Sequence, residues 1–454
     1  MKSITRRAGD TMDIIKNNYK IIISTIFVFI LTLFSTLIVI ALNIDEIWNY
    51  GFSYNIYNGL VPYKDFNMVI TPFFPFLMSL PFHIFGSNIL VFHIEWALII
   101  SFLFAIIYKT IGEKTWLFMI FLFFPIAIII PNYNIFLFVL LVIILYLENE
   151  NNDSDILIGI LLSLAFLTKH SVGLFLLLPS LYYISNKRKI IKRFIGFIIP
   201  ICLFVIYLIY SNSYKEFIDL CILGLFDFAS ENPHLHIIII LLSFIMFIVT
   251  IIYIKKSDSK IEGYYTLSFY SIIFPLFDLY HFQVALLAFA YFILKNIKIV
   301  KIRPFLLFIG VYCFISLVYM DIYHKHEIIY PNKLKHFEYR MINNDGIKIT
   351  NRLNRKIRKY KNVVHIHSNA YFLRIVNDQK IGYIDLINNG NWGYNGSKKM
   401  LRKIKKYKNK DVVFIVNKYE LSIDKQTNKE VMKYIIKNAK KIDSVYYFDI
   451  YKFK

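Results

Sequence analysis

Two adjacent carboxylates follow directly after the first long apolar run of the chain. Asp45 and Glu46 come behind residues 21–42, and Asp65 lies further along the same aromatic-rich segment. A carboxylate at such a position can take a proton from a hydroxyl group where a polar substrate meets a lipid surface, which is the work of a general base. The same pair is equally compatible with two hydrated acids that mark a membrane boundary. The sequence does not say which of the two acids has the higher pKa.

Further polar side chains occur in the short breaks between later apolar runs. The candidates for substrate binding are Asn132, Tyr133, Lys169, His170, Asp278, Tyr280 and His281, together with Asp65. Lys169 is the candidate for holding a phosphate group, because desolvation at a hairpin tip strengthens such a contact. Its alternative role is to reach the membrane interface with its ammonium group. The alternative for Asp278, Tyr280 and His281 is a structural role, in which they form a polar turn that caps two helices.

The composition of the chain is that of a polytopic membrane protein. Of its 454 residues, 57% are hydrophobic and 18% are aromatic, and the mean hydropathy of +0.52 is too high for a soluble protein of this length. Repeated apolar runs of about 20 residues predict membrane-spanning helices. We expect about eleven crossings, at residues 21–42, 89–108, 116–130, 135–147, 156–168, 171–184, 194–211, 237–254, 263–278, 282–295 and 304–320. No cleavable signal peptide is expected, because residues 21–42 are long enough to cross.

The distribution of cations predicts the orientation of these crossings. Residues 1–20, 109–114, 148–155, 185–193, 255–260 and 295–303 together carry 19 Lys or Arg, whereas the opposite short loops carry only Lys64, Lys169 and Lys215. By the positive-inside rule the first set is cytoplasmic. Asp45 and Glu46 are then outside, and an odd number of crossings leaves residues 321–454 outside as well.

Several predicted crossings have only 13 to 15 residues, which reach about 20 to 23 Å and do not span a ~30 Å hydrocarbon layer. The polar hairpin tips at residues 131–134 and 168–171 would then lie at membrane depth, where irregular backbone requires a hydrated or protein-lined cavity. We therefore expect an outward-facing cavity. Residues 73–85, interrupted by Pro75 and Pro81, and residues 214–228 are expected to lie at the interface instead of crossing.

The polar tail is predicted to form a small α/β domain. Residues 362–367, 380–384, 411–416 and 444–451 have strand patterns, and residues 347–360, 398–408 and 428–439 have helix patterns. The tail holds 30 Lys or Arg against 12 Asp or Glu. Because this basic region is placed outside the cell, nucleic acid is not an expected partner, whereas anionic lipids or wall polymers are compatible with it. His365 and His367 lack the further ligands that a metal site needs.

The first loop and the segments after it resemble a known superfamily. The Asp45-Glu46 pair just after the first helix, the sequence Gly59-Leu60-Val61-Pro62-Tyr63-Lys64-Asp65-Phe66 and the Pro-rich interfacial segment behind it are similar to the GT-C glycosyltransferases. The nearest branch is the family-39-like membrane transferases, which include the protein O-mannosyltransferases and the lipid A aminoarabinose transferase. The resemblance covers about residues 20–320, and nothing in it corresponds to the tail.

The resemblance implies a GT-C-like helix bundle at residues 1–320, followed by an extracytoplasmic domain at residues 321–454. It implies transfer of a sugar from a polyprenyl-phosphate donor, with Asp45 as the base, Glu46 beside it and Asp65 as a further polar position. The acceptor would be a glycan, lipid or protein of the cell envelope. No cofactor is expected; a divalent metal is compatible with this chemistry but is not required. The alternatives are a transporter or flippase of lipid-linked glycans, and a catalytically silent membrane scaffold.

Overall fold

The computed structural model describes residues 2–38, 44–123, 130–150, 153–182, 186–231, 237–256, 260–274, 276–296, 329–330, 332–340, 342–380, 382, 391–408, 410–423 and 429–453. The predicted crossing at residues 304–320, the predicted boundary between residues 320 and 321, and most of the predicted strand at residues 380–384 lie outside this part of the chain.

The chain up to residue 296 is helical. Its α-helices are α1 (Lys2–Ile38), α2 (Ile44–Tyr57), α3 (Phe73–Ser79), α4 (Phe82–Phe85), α5 (Ile89–Ile111), α6 (Thr115–Phe123), α7 (Tyr133–Asn149), α8 (Asp155–Thr168), α9 (His170–Tyr182), α10 (Lys187–Tyr210), α11 (Tyr214–Phe217), α12 (Gly224–Glu231), α13 (Ile237–Lys256), α14 (Lys260–Phe269) and α15 (Leu279–Asn296), and a π-helical stretch, Ile218–Leu223, joins α11 to α12. Helix α7 is apolar around its whole circumference and is buried on all sides, as expected for the central helix of a bundle.

Four helical stretches are long and apolar enough to cross a membrane. They are Tyr19–Leu37, Ile89–Met119, Lys187–Tyr210 and Ile237–Lys256. The prediction of about eleven crossings therefore holds only in the coarser form of a mainly helical chain with several membrane-spanning candidates. The other apolar helices are too short by this criterion, and α8, with 14 residues, reaches only about 21 Å at ~1.5 Å per residue.

The chain reverses direction at Gly112, within the second of these stretches. Gly112 has a φ of 60°, a left-handed conformation that favours glycine. The rings of Phe104 and Trp116 are only 5.1 Å apart, whereas twelve residues of straight helix would separate them by about 18 Å. The predicted break at residues 109–114 is therefore present, and α6 folds back against α5.

A buried polar network ties several helix ends together at one end of the bundle. Arg193 donates hydrogen bonds to both carboxylate oxygens of Glu148, at 2.5 and 2.8 Å, and to Asp155 at 2.7 Å. Its Nη1 also donates to Ser180 at 3.1 Å, and Tyr265 donates to Glu148 at 2.9 Å. Each of these charges is buried, and such charges are tolerated only when they are paired. The network brings together two of the segments that the charge pattern assigns to one membrane face.

The tail contains a small mixed sheet, as predicted. Its helices are α16 (Asn344–Ile357), α17 (Ala370–Val376), α18 (Gly396–Lys405), α19 (Lys418–Ile423) and α20 (Lys429–Asn438), and its strands are β1 (Ile329–Tyr330), β2 (Ile342–Asn343), β3 (Val363–Ile366), β4 (Val413–Asn417), β5 (Ala439–Val445) and β6 (Phe448–Phe453). The four-stranded sheet has the order β3-β4-β6-β5, in which β3 pairs parallel with β4 and the other pairs are antiparallel. The single strand predicted at residues 444–451 is wrong: the chain turns at Tyr446, with a φ of 52°, and forms a β-hairpin.

The tail packs directly on the helical part of the chain. The backbone N–H of Ile89 donates to the carbonyl of His336 at 2.9 Å, and Asn88 donates to Glu338 at 2.7 Å. The ring of Phe337 lies 5.5 Å from that of Tyr50 in an edge-on arrangement. These contacts place the tail at the same end of the bundle as the first turn of α2.

Candidate active site

Asp45 lies in the first turn of a helix, not in an irregular loop as the sequence predicted. Helix α2 begins at Ile44, so that Asp45 and Glu46 are both at its N-terminus, where the helix dipole favours negative charge. Burial and the neighbouring carboxylate of Asp278 raise the pKa of Asp45 to about 6, against the lowering effect of the Lys169 ammonium group. The chain thus brings a carboxylate, an ammonium group and a second carboxylate from three distant segments into electrostatic range of one another.

Lys169 occupies the break between α8 and α9, at the hairpin tip that the sequence singled out. Its ammonium group donates to Oδ1 of Asn134 at 3.1 Å and lies 5.9 Å from the ring centre of Tyr133. Burial lowers the pKa of Lys169 to about 8, and the charges of Asp278 and Asp45 limit this shift. A lysine with this pKa is still largely protonated at pH 7 and remains able to bind an anion.

Asp278 caps the helix that carries His281. Its Oδ1 accepts the backbone N–H of His281 at 2.8 Å, and both carboxylate oxygens lie 2.9 Å from Nδ1 of the same residue. Burial alone would raise the pKa of Asp278, but the hydrogen bonds from His281 and the charge of Lys169 hold it below its ordinary value. Asp278 is therefore the acid of this site that stays ionised, whereas Asp45 has the more basic carboxylate.

Aromatic and amide side chains surround these charges. Tyr133 and Tyr280 both lie within electrostatic range of Asp45 and Asp278. His170 packs against Phe166, with a distance of 6.4 Å between the ring centres. Both of its ring nitrogens are buried, and neither has a hydrogen-bond partner within the described residues. His170 thus adds a buried imidazole within electrostatic range of Lys169.

Glu46 is placed differently from its neighbour. Its Oε1 lies 2.7 Å from Nε2 of His93, its Oε2 accepts from Nη2 of Arg340 at 3.0 Å, and all three side chains are fully buried. Burial alone would raise the pKa of Glu46, but the Arg340 charge and the hydrogen bond with His93 hold it below its ordinary value. Arg340 also donates to the carbonyl of Thr36. Glu46 therefore joins the tail to the bundle through its contacts with Arg340 and His93.

Two of the predicted substrate-binding residues make local hydrogen bonds to the backbone. The carboxylate of Asp65 is exposed and closes a turn by accepting the backbone N–H of Val61 at 2.8 Å. Asn132 is the N-cap of α7, where its Oδ1 accepts the backbone N–H of Asn134 at 2.7 Å, as N-cap residues do. Neither contact brings the side chain to Asp45.

The described residues contain no cluster of three or more His, Cys, Asp or Glu side chains that could hold a metal ion.

Comparison with protein-family models, with curated proteins and with solved structures finds no match for this chain.

Proposed function

We propose that this chain is an integral membrane glycosyltransferase, which moves a sugar from a polyprenyl-phosphate donor to a hydroxyl group of a cell-envelope acceptor, with Asp45 as the general base. The observation that carries the proposal is that Asp45, Lys169 and Asp278 lie within electrostatic range of one another. They come from three distant segments, the first turn of α2, the break between α8 and α9, and the residue before α15. Transfer of a sugar from a lipid-borne phosphodiester requires a base for the acceptor proton and a cation for the phosphate. This site has both, together with a second acid, beside lipid-facing helices.

The reaction balances without a cofactor. The acceptor oxygen attacks the anomeric carbon of the sugar and loses its proton to Asp45, while the bond between that carbon and the phosphate oxygen breaks. The electron pair of that bond leaves with polyprenyl phosphate. A carboxylate with a pKa of about 6 is a stronger base than an ordinary aspartate and is still ionised at neutral pH, which suits this role.

Lys169 would hold the phosphate group as negative charge develops on it. A buried ammonium group interacts more strongly with a phosphate than an exposed one does. Asn134 fixes the position of this ammonium group through its 3.1 Å contact. His170, whose two ring nitrogens have no hydrogen-bond partner among the described residues, would bind the phosphate or a neighbouring sugar hydroxyl.

The other side of the site would bind the sugar. Asp278, held by His281, can accept hydrogen bonds from hydroxyl groups, and Tyr280 and Tyr133 offer aromatic faces for a pyranose ring. We further propose that this end of the bundle faces away from the cytoplasm, with the tail at residues 321–454 outside. The positive-inside count supports this orientation, and the contacts between the tail and α5 put the tail at the same end as Asp45.

The test is transfer by the purified full-length protein in lipid nanodiscs. Undecaprenyl-phosphate-linked mannose, glucose and arabinose are supplied with a cell-envelope extract as acceptor, and release of undecaprenyl phosphate is measured. We expect release with at least one donor, and a loss of 100-fold or more in Lys169→Met, on the order of the loss of one preorganised donor. The matched control is Lys192→Met, which removes an exposed lysine paired with Asp153. Equal release by Lys169→Met and wild type would refute the proposed role of Lys169.

A flippase would behave differently in the same membranes. It would move the lipid-linked sugar across the bilayer without releasing undecaprenyl phosphate. Translocation of the intact donor in sealed vesicles, with no release for any donor, would replace the transferase proposal with the transporter alternative.

A further inference from the structure

The segment between α10 and α13 connects two membrane-span candidates. Helix α10 ends at Tyr210 and α13 begins at Ile237, and both are membrane-span candidates. If both helices cross, the connection between them must stay on one side. This connection, residues 214–231, exposes a series of large apolar side chains, Tyr214, Ile218, Ile222, Leu223, Leu225 and Phe226, with Phe226 71% exposed. Such a series at the end of two spans is typical of an interfacial helix that rests in the lipid surface.

The tail is fixed to this interfacial segment by polar contacts. The carbonyl of Asp219 accepts the backbone N–H of Tyr394 at 3.3 Å, and the carboxylate of Asp219 accepts from the ammonium group of Lys399 at 2.5 Å. The backbones of Gly224 and Gly393 approach so closely that a Cβ atom on Gly224 would lie 2.9 Å from Cα of Gly393. Helix α18, which begins at Gly396, is therefore held beside the interfacial segment.

Helix α18 has one apolar face and one strongly basic face. Met400 and Ile404 are buried against the rest of the tail, at 2% and 0% exposure. Lys398, Arg402 and Lys406 recur every four residues on the opposite side, and all three are exposed. In an α-helix that spacing forms one continuous stripe. Residues 391–410 contain eight Lys or Arg and no acidic residue, so no carboxylate of this segment neutralises the stripe.

We propose that the stripe Lys398, Arg402 and Lys406 binds the headgroups of anionic phospholipids. The positive charge of the stripe selects an anionic partner. The contacts of Asp219 with the tail place the stripe beside the interfacial segment, where the anions at hand are lipid phosphates. Cations near a membrane surface each strengthen binding to anionic lipid by about fivefold. The stripe would hold the tail down on the bilayer next to the opening of the site. This inference does not depend on the proposed transferase activity.

The test compares lipid binding by the full-length protein and a triple variant, Lys398→Gln/Arg402→Gln/Lys406→Gln. Each protein is equilibrated in micelles that contain equal amounts of phosphatidylglycerol and phosphatidylcholine, and native mass spectrometry measures the ratio of the two bound lipids. The matched control is Arg355→Gln/Arg358→Gln/Lys359→Gln, which removes three exposed cations from the neighbourhood of α16.

We expect the bound ratio of phosphatidylglycerol to phosphatidylcholine to fall at least fivefold in the α18 triple variant and to change less than twofold in the control. The preference of the wild type should also weaken at 1 M salt, where the Debye length is about 3 Å. An unchanged ratio in the α18 variant would overturn the proposal. An equal fall in both variants would overturn it too, because the effect would then come from net charge alone.

Discussion

Replacing Arg340 by methionine is expected to destabilise the junction between the tail and the bundle severely. Arg340 and Glu46 are both fully buried, and 3.0 Å separates their interacting atoms. Methionine fills a similar volume but leaves the Glu46 carboxylate with His93 as its partner in this network. Removing one member of a buried ion pair typically costs about 3–5 kcal/mol, because the remaining charge stays desolvated.

A second substitution separates this effect from a simple loss of packing. In Glu46→Gln/Arg340→Met no buried charge is left in the pair, so we expect the double variant to recover most of the lost stability. The control is Lys335→Met, which breaks an exposed pair with Asp378 and should cost less than about 1 kcal/mol. The measurement is the midpoint of unfolding by a denaturing detergent, followed by tryptophan fluorescence.

The pH dependence of stability should also change in the Arg340→Met variant. In the wild type the pKa of Glu46 is held below 4.5, so the stability that its ionised form contributes is present at neutral pH and is lost only at low pH. Without Arg340, burial would raise this pKa above its ordinary value, and stability would then fall as the pH rises. The difference in unfolding free energy between variant and wild type should thus be smaller at pH 5 than at pH 8. A single variant that loses less than about 1 kcal/mol, or a double variant no more stable than the single one, would refute this reasoning.

Three further predictions concern the site and the packing of the helices. The rate of transfer should show a bell-shaped dependence on pH, with an acidic limb near 6 from Asp45 and a basic limb near 8 from Lys169. Lys169→Arg should remove the basic limb, because a guanidinium group does not lose its proton. A basic limb that persists in this variant would exclude Lys169 as its source. Gly159→Ala should reduce stability by roughly 1–3 kcal/mol, because its Cβ would lie 2.1 Å from the carbonyl oxygen of Arg193; a detergent-unfolding midpoint equal to that of the wild type would contradict this packing. Gly393→Ala should loosen the tail, because the φ of 76° at this position costs residues other than glycine about 1–2 kcal/mol. We expect faster proteolysis of the tail in this variant. Unchanged proteolysis would contradict the prediction.

Local sequence patterns predicted the three longer helices of the tail closely, whereas the short helices Ala370–Val376 and Lys418–Ile423 were not predicted. The predicted helix at residues 398–408 corresponds to Gly396–Lys405, and that at residues 428–439 corresponds to Lys429–Asn438. In both, buried apolar residues recur with helical spacing, and that spacing can be read from the sequence. The hairpin at Tyr446 was not predicted, because its turn consists of tyrosines, which favour strands, and lacks the Gly or Asn that normally marks a tight turn.

The site could be predicted only in part. Asp45, Lys169 and Asp278 were recognisable one by one, as ionisable residues in short breaks between apolar runs, but their proximity depends on how the helices pack. The role of Glu46 could not be read from the sequence at all, because its partner Arg340 lies 294 residues further along the chain. No local pattern links two such positions, so the buried ion pair of Glu46 could not be predicted.

The most direct measurement is the turnover number of Asp45→Asn in the nanodisc assay, alongside wild type and the control Asp153→Asn, whose side chain is exposed. If Asp45 removes the acceptor proton, turnover by Asp45→Asn should fall by a factor of about 10² to 10⁴. The variant should be at least as stable as the wild type at pH 8, because the substitution removes a buried charge with a raised pKa. Turnover within threefold of the wild type in a folded Asp45→Asn protein would contradict the account.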